Sequence, residues 1–416
     1  MRKLFIVLIA LGVVLPIQAA TAQETLSFYK QELSAFPSAN ARESRAYAAI
    51  LADSFSTWAT QHPQDESLAD ALLMQARLEL RAQEQGKALV TLFLLRYQFP
   101  QMTLDNLNPL FTQAVQALDA KSRDEAAKLF AAGPKGTVLQ TRQADALYAL
   151  SKLTGKTFYA PAANAFESFF IRFPDYSASD QVELWYGDLH RLNGNYLAAI
   201  FQYKKTGALY PNTPYRAASE RLIGDIYADN LKDTAAATAA YTRILQNYPD
   251  SSETGIVYKH MAILDENNKQ YDSALINYDK AIELLGNTPA SYEAYRGKAD
   301  VYIKTKDFTE AYNLLQKTAI LFNADEEKAT DSWLAAAHLA KRQLRNPEKY
   351  AQSLEKALLA HPKNAQAPQM LSDLAATYEQ LGKTKQAQET YKKLVLNYPT
   401  HKLASRAQGR LNKLSK

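Results

Sequence analysis

The sequence predicts an all-α protein, an α-solenoid assembled from antiparallel helix hairpins, and three observations predict it. An aromatic residue or His directly precedes Pro at His62-Pro63, Phe99-Pro100, Phe173-Pro174, Tyr210-Pro211, Tyr248-Pro249, His361-Pro362 and Tyr398-Pro399, at intervals of 37, 74, 37, 38, 113 and 37 residues. These intervals are multiples of a unit of about 37 residues, the mark of internal repetition. Within a unit the apolar residues recur at helical spacing in two runs. In the last unit these are Leu371, Leu374, Ala375 and Tyr378, then a turn at Gly382-Lys383, then Ala387, Tyr391 and Leu394. Third, only 14 of 416 residues are Gly and no Gly, Ser or Pro cluster forms a linker. A chain longer than one core supports therefore reads as a repeat array.

The elements follow in order. Met1-Arg2-Lys3, the apolar run from Leu4 to Leu15, the breaker Pro16 and the small residues Ala20 and Ala22 have the form of a secretory signal. Residues 1–22 are expected to be cleaved, leaving Gln23 as the first residue of a soluble, periplasmic chain. The apolar run is too short to span roughly 30 Å of hydrocarbon as a helix. The chain has no Cys, which excludes lipid attachment at a Cys, disulfides and thiolate metal sites.

Residues 23–63 read as N-terminal capping helices through Leu33, Tyr47, Ile50, Leu51 and Phe55. Residues 64–400 read as the array. Its units carry Ala76, Ala88, Leu92 and Pro100; Gly187, Ala199, Tyr203 and Pro211; Gly224, Tyr227, Ala237, Tyr241 and Pro249; Ala262, Ala274, Tyr278 and Ala281; Ala299, Tyr302, Ala311 and Leu315; and Ala375, Tyr378, Ala387, Tyr391 and Pro399. The step from Gly224 to Ala237 is one residue longer than standard, which places an inserted residue in the turn near Lys232-Asp233. Two stretches, near 101–140 and 322–332, fit badly, and either could divide the array. Residues 401–416 read as a basic capping helix.

These units resemble the tetratricopeptide repeat family, whose spacing is W-x2-L-G-x2-Y, then A-x3-F, A and P. The resemblance implies a right-handed superhelix with a concave face that takes extended segments of partner proteins. Small residues such as Ala375 and Ala387 let paired helices approach, and Tyr378 and Tyr391 fill the remaining space.

No catalytic constellation stands out, and neither a cofactor nor a metal site is expected. The six histidines (His62, His190, His260, His338, His361 and His401) lack metal-ligand spacing, and His62, His190 and His361 fall on repeat positions. Gly133-Pro134-Lys135-Gly136-Thr137 lacks the phosphate-loop spacing and reads as a turn. Asp325-Glu326-Glu327 reads as a helix start and not as a calcium loop. After Gly382 nine basic residues face one acid, Glu389. That end is either a solvating cap or, through Lys402, Arg406, Arg410 and Lys413, a contact for an acidic protein or an anionic envelope surface.

The expected function is a non-enzymatic, exported scaffold for protein–protein interaction. The signal and the repeat ends resemble bacterial envelope proteins of the family, among them the outer-membrane assembly lipoproteins and the Tol-Pal-associated tetratricopeptide protein. The chain departs from these in lacking the lipoprotein Cys and an N-terminal heptad coiled coil. The alternatives are a holdase for outer-membrane polypeptides and the helical part of a peptidoglycan-processing enzyme, since soluble lytic transglycosylases also carry a helical superhelix. Nucleic acid is not an expected partner of an exported chain.

Overall fold

The computed structural model describes residues 21–34 and 41–415. The predicted signal segment therefore lies outside the described residues, except that Ala22 and Gln23 open the first helix. The described residues form 21 α-helices and no strand. They divide into two compact units, the first ending at Ser219 and the second starting at Glu220. The division falls inside a well-matched repeat and not at either irregular stretch. No described helix is long and apolar enough to cross a membrane.

In the first unit, α1 (Ala22–Ser34) and α2 (Ala41–Gln61) precede the hairpin α3 (Leu68–Arg81) and α4 (Gln85–Gln98). Then come α5 (Leu104–Ala114), α6 (Ala120–Ala132), and the hairpins α7 (Leu139–Ser151) with α8 (Tyr159–Arg172) and α9 (Ser179–Leu192) with α10 (Tyr196–Leu209). Helix α11 (Arg216–Asp225) spans the division. The second unit continues with α12 (Thr234–Asn247), α13 (Thr254–Asn267), α14 (Tyr271–Leu285), α15 (Pro289–Lys304), α16 (Phe308–Leu321), α17 (Glu326–Arg342), α18 (Pro347–Ala360), α19 (Ala367–Gln380), α20 (Thr384–Asn397) and the closing α21 (Lys402–Leu414).

The residue before each periodic Pro ends a second helix. Phe99, Phe173, Tyr210, Tyr248, His361 and Tyr398 all leave helical geometry with φ between −121° and −138° and ψ between 50° and 76°. The following Pro ring disfavours the α region at these positions. The turn is equally regular in seven hairpins, the longer α7–α8 connection excepted. Gly194 and Gly382 are left-handed there, at φ +80° and +69°, and the same slot holds left-handed Gln83, Lys232, Lys269, Lys306 and Arg345.

The predicted inserted residue is absorbed slightly before the turn. Helix α11 runs into a π-helical stretch, Ile226–Leu231, and Lys232 at φ +56° then turns the chain. Widening one turn accommodates a residue without breaking the helix.

The stretch near 101–140 is helical but leaves the stack. Helix α4 packs directly on the next hairpin: Gln143 on α7 donates to Gln98 at 2.9 Å, and Gly86 lies so close to the Thr157 carbonyl that a Cβ would sit 1.9 Å from it. Helices α5 and α6 form a side excursion held by rings. Phe111 and Phe130 stack at 4.3 Å, and Phe93 of α4 meets both edge-on at 6.3 and 5.4 Å. Near 322–332 the stack is uninterrupted. Phe322 replaces the usual Tyr-Pro, with Tyr292 and Tyr295 against it edge-on, and Asp325 caps α17 by accepting from the Lys328 N–H. The predicted solvated helix start stands there.

Candidate functional site

The packing positions expected from the repeat lie at helix crossings. Ala88, Ala199, Ala274, Ala311, Ala375 and Ala387 are fully buried, and Tyr203, Tyr278, Tyr378 and Tyr391 nearly so. Gly187 and Gly224 are required by their partners, since a Cβ on either would come within 2.3 Å of the Tyr203 or Tyr241 ring. Pro100 and Pro399 are exposed at helix ends, and Tyr227 is half-buried in the π-helical stretch.

Four buried tyrosines carry the first layer of polar chemistry. The hydroxyls of Tyr203, Tyr241, Tyr278 and Tyr391, on second helices, donate to Asp188, Asp225, Glu266 and Glu379 on their first helices, at 2.8, 2.8, 2.9 and 2.6 Å. Each carboxylate also receives a base from a neighbouring hairpin or the closing helix. Lys152 lies 3.6 Å from Asp188, the His260 Nδ1 is 2.7 Å from Asp225, Lys304 is 2.6 Å from Glu266, and Arg410 holds Glu379. Burial, reinforced by the adjacent carboxylates, pushes all four phenols up, Tyr391 to about 12. They stay protonated and act as donors. Burial raises the Asp225 carboxyl, but bonds from His260, Arg221 and Tyr241 outweigh it and hold the group below the usual range.

The hydroxyl beside the Asp225–His260 pair is Tyr241, held protonated on the same carboxylate. His190 pairs with the Tyr159 hydroxyl at 2.8 Å, and burial lowers its pKa. No group of His, Asp or Glu among the described residues is placed to hold a metal ion. The phosphate-loop lookalike is already filled. The backbone N–H groups of Lys135 and Gly136 both donate to the Asp145 carboxylate at 2.7 Å.

A second pattern was not anticipated from sequence. A base on the second helix reaches one residue type or another on the first. Lys205 meets Glu183 at 2.7 Å and Arg243 meets Glu220 at 2.8 Å, whereas Lys280, Lys317 and Lys356 lie over the rings of Tyr258, Tyr295 and Trp333 at 4.9, 5.8 and 5.3 Å. The partners are 22 or 23 residues apart every time. Lys393 occupies the same place opposite Leu371. The spacing was present in the sequence, but the change between carboxylate and ring concealed it.

An accessible aromatic pair lies on the first helices α7 and α9. Tyr148 and Trp185, at equal places in successive hairpins, meet edge-on at 5.1 Å. Lys152 lies 4.8 Å from the Tyr148 ring centre and also reaches Asp188. Tyr148 is 40% exposed and Trp185 is partly so. An accessible aromatic pair flanked by opposite charges offers a large contact area at low entropy cost. At the other end Lys402, Arg406 and Lys413 are exposed, and Arg410 is engaged with Glu379.

The tetratricopeptide repeat family model matches residues 222–251 and 371–401. These two stretches are tetratricopeptide repeats by that match. The two matched stretches contain the Gly224–Tyr241 crossing and the Ala375, Tyr378, Ala387 and Tyr391 set. Solved structures similar to the chain include a tetratricopeptide repeat protein from Parabacteroides merdae, 13% identical over 67% of this chain and 99% of that one, with a TM-score of 0.37. Another is the C-terminal part of a TPR repeat-containing protein from Cytophaga hutchinsonii, 16% identical over 64% and 98%, with a TM-score of 0.44. The Cut9–Hcn1 hetero-tetramer of the APC/C is 12% identical over 95% and 89%, with a TM-score of 0.33. All three likenesses are distant. No curated protein is significantly similar to the chain.

Proposed function

We propose that this protein is a non-enzymatic, exported scaffold of the bacterial cell envelope. It binds extended segments of partner proteins along the first helices of its tetratricopeptide hairpins. The observation that carries this reading is the accessible Tyr148–Trp185 pair with Lys152 and Asp188 beside it. A soluble periplasmic location, with Gln23 as the mature N-terminus, rests on the signal-like pattern of residues 1–22. The C-terminal end adds an electrostatic contact with an acidic partner or an anionic envelope surface.

The test is crosslinking in the native envelope with the wild type and with Tyr148→Ala/Trp185→Ala. A scaffold recovers one or two defined partners, which the double variant loses while keeping its helical content. Recovery of many unfolded outer-membrane polypeptides would replace this reading with the holdase. Mass spectrometry that finds Met1 retained would remove the export part.

A further inference from the structure

At three interior junctions, the second helix of one hairpin presents a carboxylate to the first helix of the next. Glu167 accepts from the Tyr186 hydroxyl at 3.1 Å, Asp279 pairs with Lys298, and Glu355 accepts from the Tyr378 hydroxyl. Lys204, Thr242 and Gln316 hold this position in three other hairpins. At the last junction, between α20 and α21, the position is Lys392. Opposite it, where α19 has Tyr378, α21 has Ser415. An open groove separates them, lined by Lys385, Gln388, Glu389, Lys392, Leu411 and Ser415. Neither Lys385 nor Lys392 has a carboxylate partner among the described residues, and both are exposed.

Helix α21 departs from the pattern of the other first helices. Where α19 turns Leu371, Ala375 and Tyr378 toward its partner helix, α21 carries Gln408, Asn412 and Ser415, and Gln408 bonds Asn412 at 2.8 Å. This face of α21 is polar and exposed. The groove beside that face sets two lysines on one helix without a carboxylate partner among the described residues, where the interior hairpin α9–α10 has Lys204 alone at this position.

We infer that the α20–α21 groove is a docking site for an acidic peptide segment of a partner protein, which supplies the carboxylates that Lys385 and Lys392 lack. The two lysines are seven residues apart on one helix face, about 10 Å at 1.5 Å per residue. A peptide in polyproline II conformation has three residues per turn and rises about 3.1 Å per residue, so acids three positions apart share one side and match both lysines. Glu389 between them disfavours an acid at the intervening positions. Leu411 gives the segment an apolar floor, and a groove suits a peptide better than a planar lipid surface does. The inference deepens the reading of the C-terminal end as a partner contact and moves that contact from the closing helix to the groove.

The probe is a fluorescein-labelled twelve-residue peptide with Glu at every third position, followed by anisotropy with the full chain. A control peptide has Gln for every Glu, and vesicles containing phosphatidylglycerol are assayed in parallel. Binding should weaken at least ten-fold for Lys385→Glu/Lys392→Glu, disappear for the Gln peptide and fall as NaCl rises. Circular dichroism should show unchanged helix content, since both side chains are exposed. Three results overturn the inference: no binding by the wild type, equal binding by the double variant, or lysine-dependent binding to vesicles with none to the peptide. Binding lost with Lys402→Glu/Arg406→Glu/Lys413→Glu and kept with the groove variant would retain the electrostatic contact of this end and reject the groove.

Discussion

Arg410 of the closing helix grips the Glu379 carboxylate, which also accepts the Tyr391 hydroxyl at 2.6 Å. One basic residue of the C-terminal end is thus part of the stack, while Lys402, Arg406 and Lys413 are exposed around it. Arg410→Ala should raise hydrogen exchange across α21, and Lys402→Ala or Lys413→Ala should not. Equal protection in all three variants would show that the Glu379 bond does not anchor the closing helix.

Gly224 sits where a Cβ would meet the Tyr241 ring. Gly224→Ala should destabilise by about 1–3 kcal/mol, the usual cost of overpacking a close crossing. Gly409 in α21 has nothing within 4 Å of its would-be Cβ. Gly409→Ala should be neutral or stabilise by up to about 1 kcal/mol through helix propensity. Urea denaturation of the two variants checks the contrast, and a loss at both positions would mean that backbone freedom matters more than the ring.

Lys306 takes a left-handed turn conformation at φ +68°, where Gly382 stands in the last hairpin. Lys306→Gly should stabilise by roughly 0.5–1 kcal/mol, since relief of the left-handed strain exceeds the entropy cost of Gly at such a site. The same gain is expected at Lys269. Thermal unfolding reads it, and a lower midpoint in both variants would contradict the turn geometry.

Glu79 is buried between α3 and α4. It takes a bond from Gln75 at 2.9 Å, while its own Oε2 and the Gln75 Oε1 lack a partner. Burial pushes its carboxyl up to about 7 against the opposing effects of Gln75, Thr91 and Lys87. A folded value above the unfolded one means that the fold prefers the protonated acid. That contribution is complete below the unfolded value of 4.5 and is lost as pH rises through about 7. The shift corresponds to on the order of 3 kcal/mol. Glu79→Gln should therefore gain stability at pH 8 relative to the wild type and little at pH 4. A parallel pH dependence of the two proteins would assign the slope to other groups.

Ala387 is fully buried at the last crossing. Ala387→Leu should cost about 1–3 kcal/mol, with exchange rising chiefly in α19–α21, because contacts in a stack run between neighbours. Protection lost evenly through the chain would contradict nearest-neighbour stacking.

The repeat period was legible because its residues serve one geometric purpose each. Only a small side chain fits at Ala387 or Gly187, and Pro399 can only end a helix. The base pattern was not legible, because Glu183 and Trp333 both receive a cation and do not look alike. The turn slot was hidden likewise, since Gly382 and Lys306 share one conformation under different letters. The stretch near 101–140 was legible as a misfit but not as a side excursion, because residues 101–137 add one unit's length and the Pro phase survives although the segment leaves the stack. The partner surface was least legible. Tyr148 and Trp185 look like two more packing aromatics until their exposure is seen.

The π-helical stretch at Ile226–Leu231 bears on how such a chain changes over time. In a coiled coil an added residue rotates everything beyond it off the seam until a compensating change occurs. Here the surplus is taken up before Lys232, and Ala237, Tyr241 and Pro249 resume their places at once. Each hairpin thus works as a clutch between its neighbours. Insertions and deletions of single residues should accumulate at the ends of first helices, leaving the crossings in step.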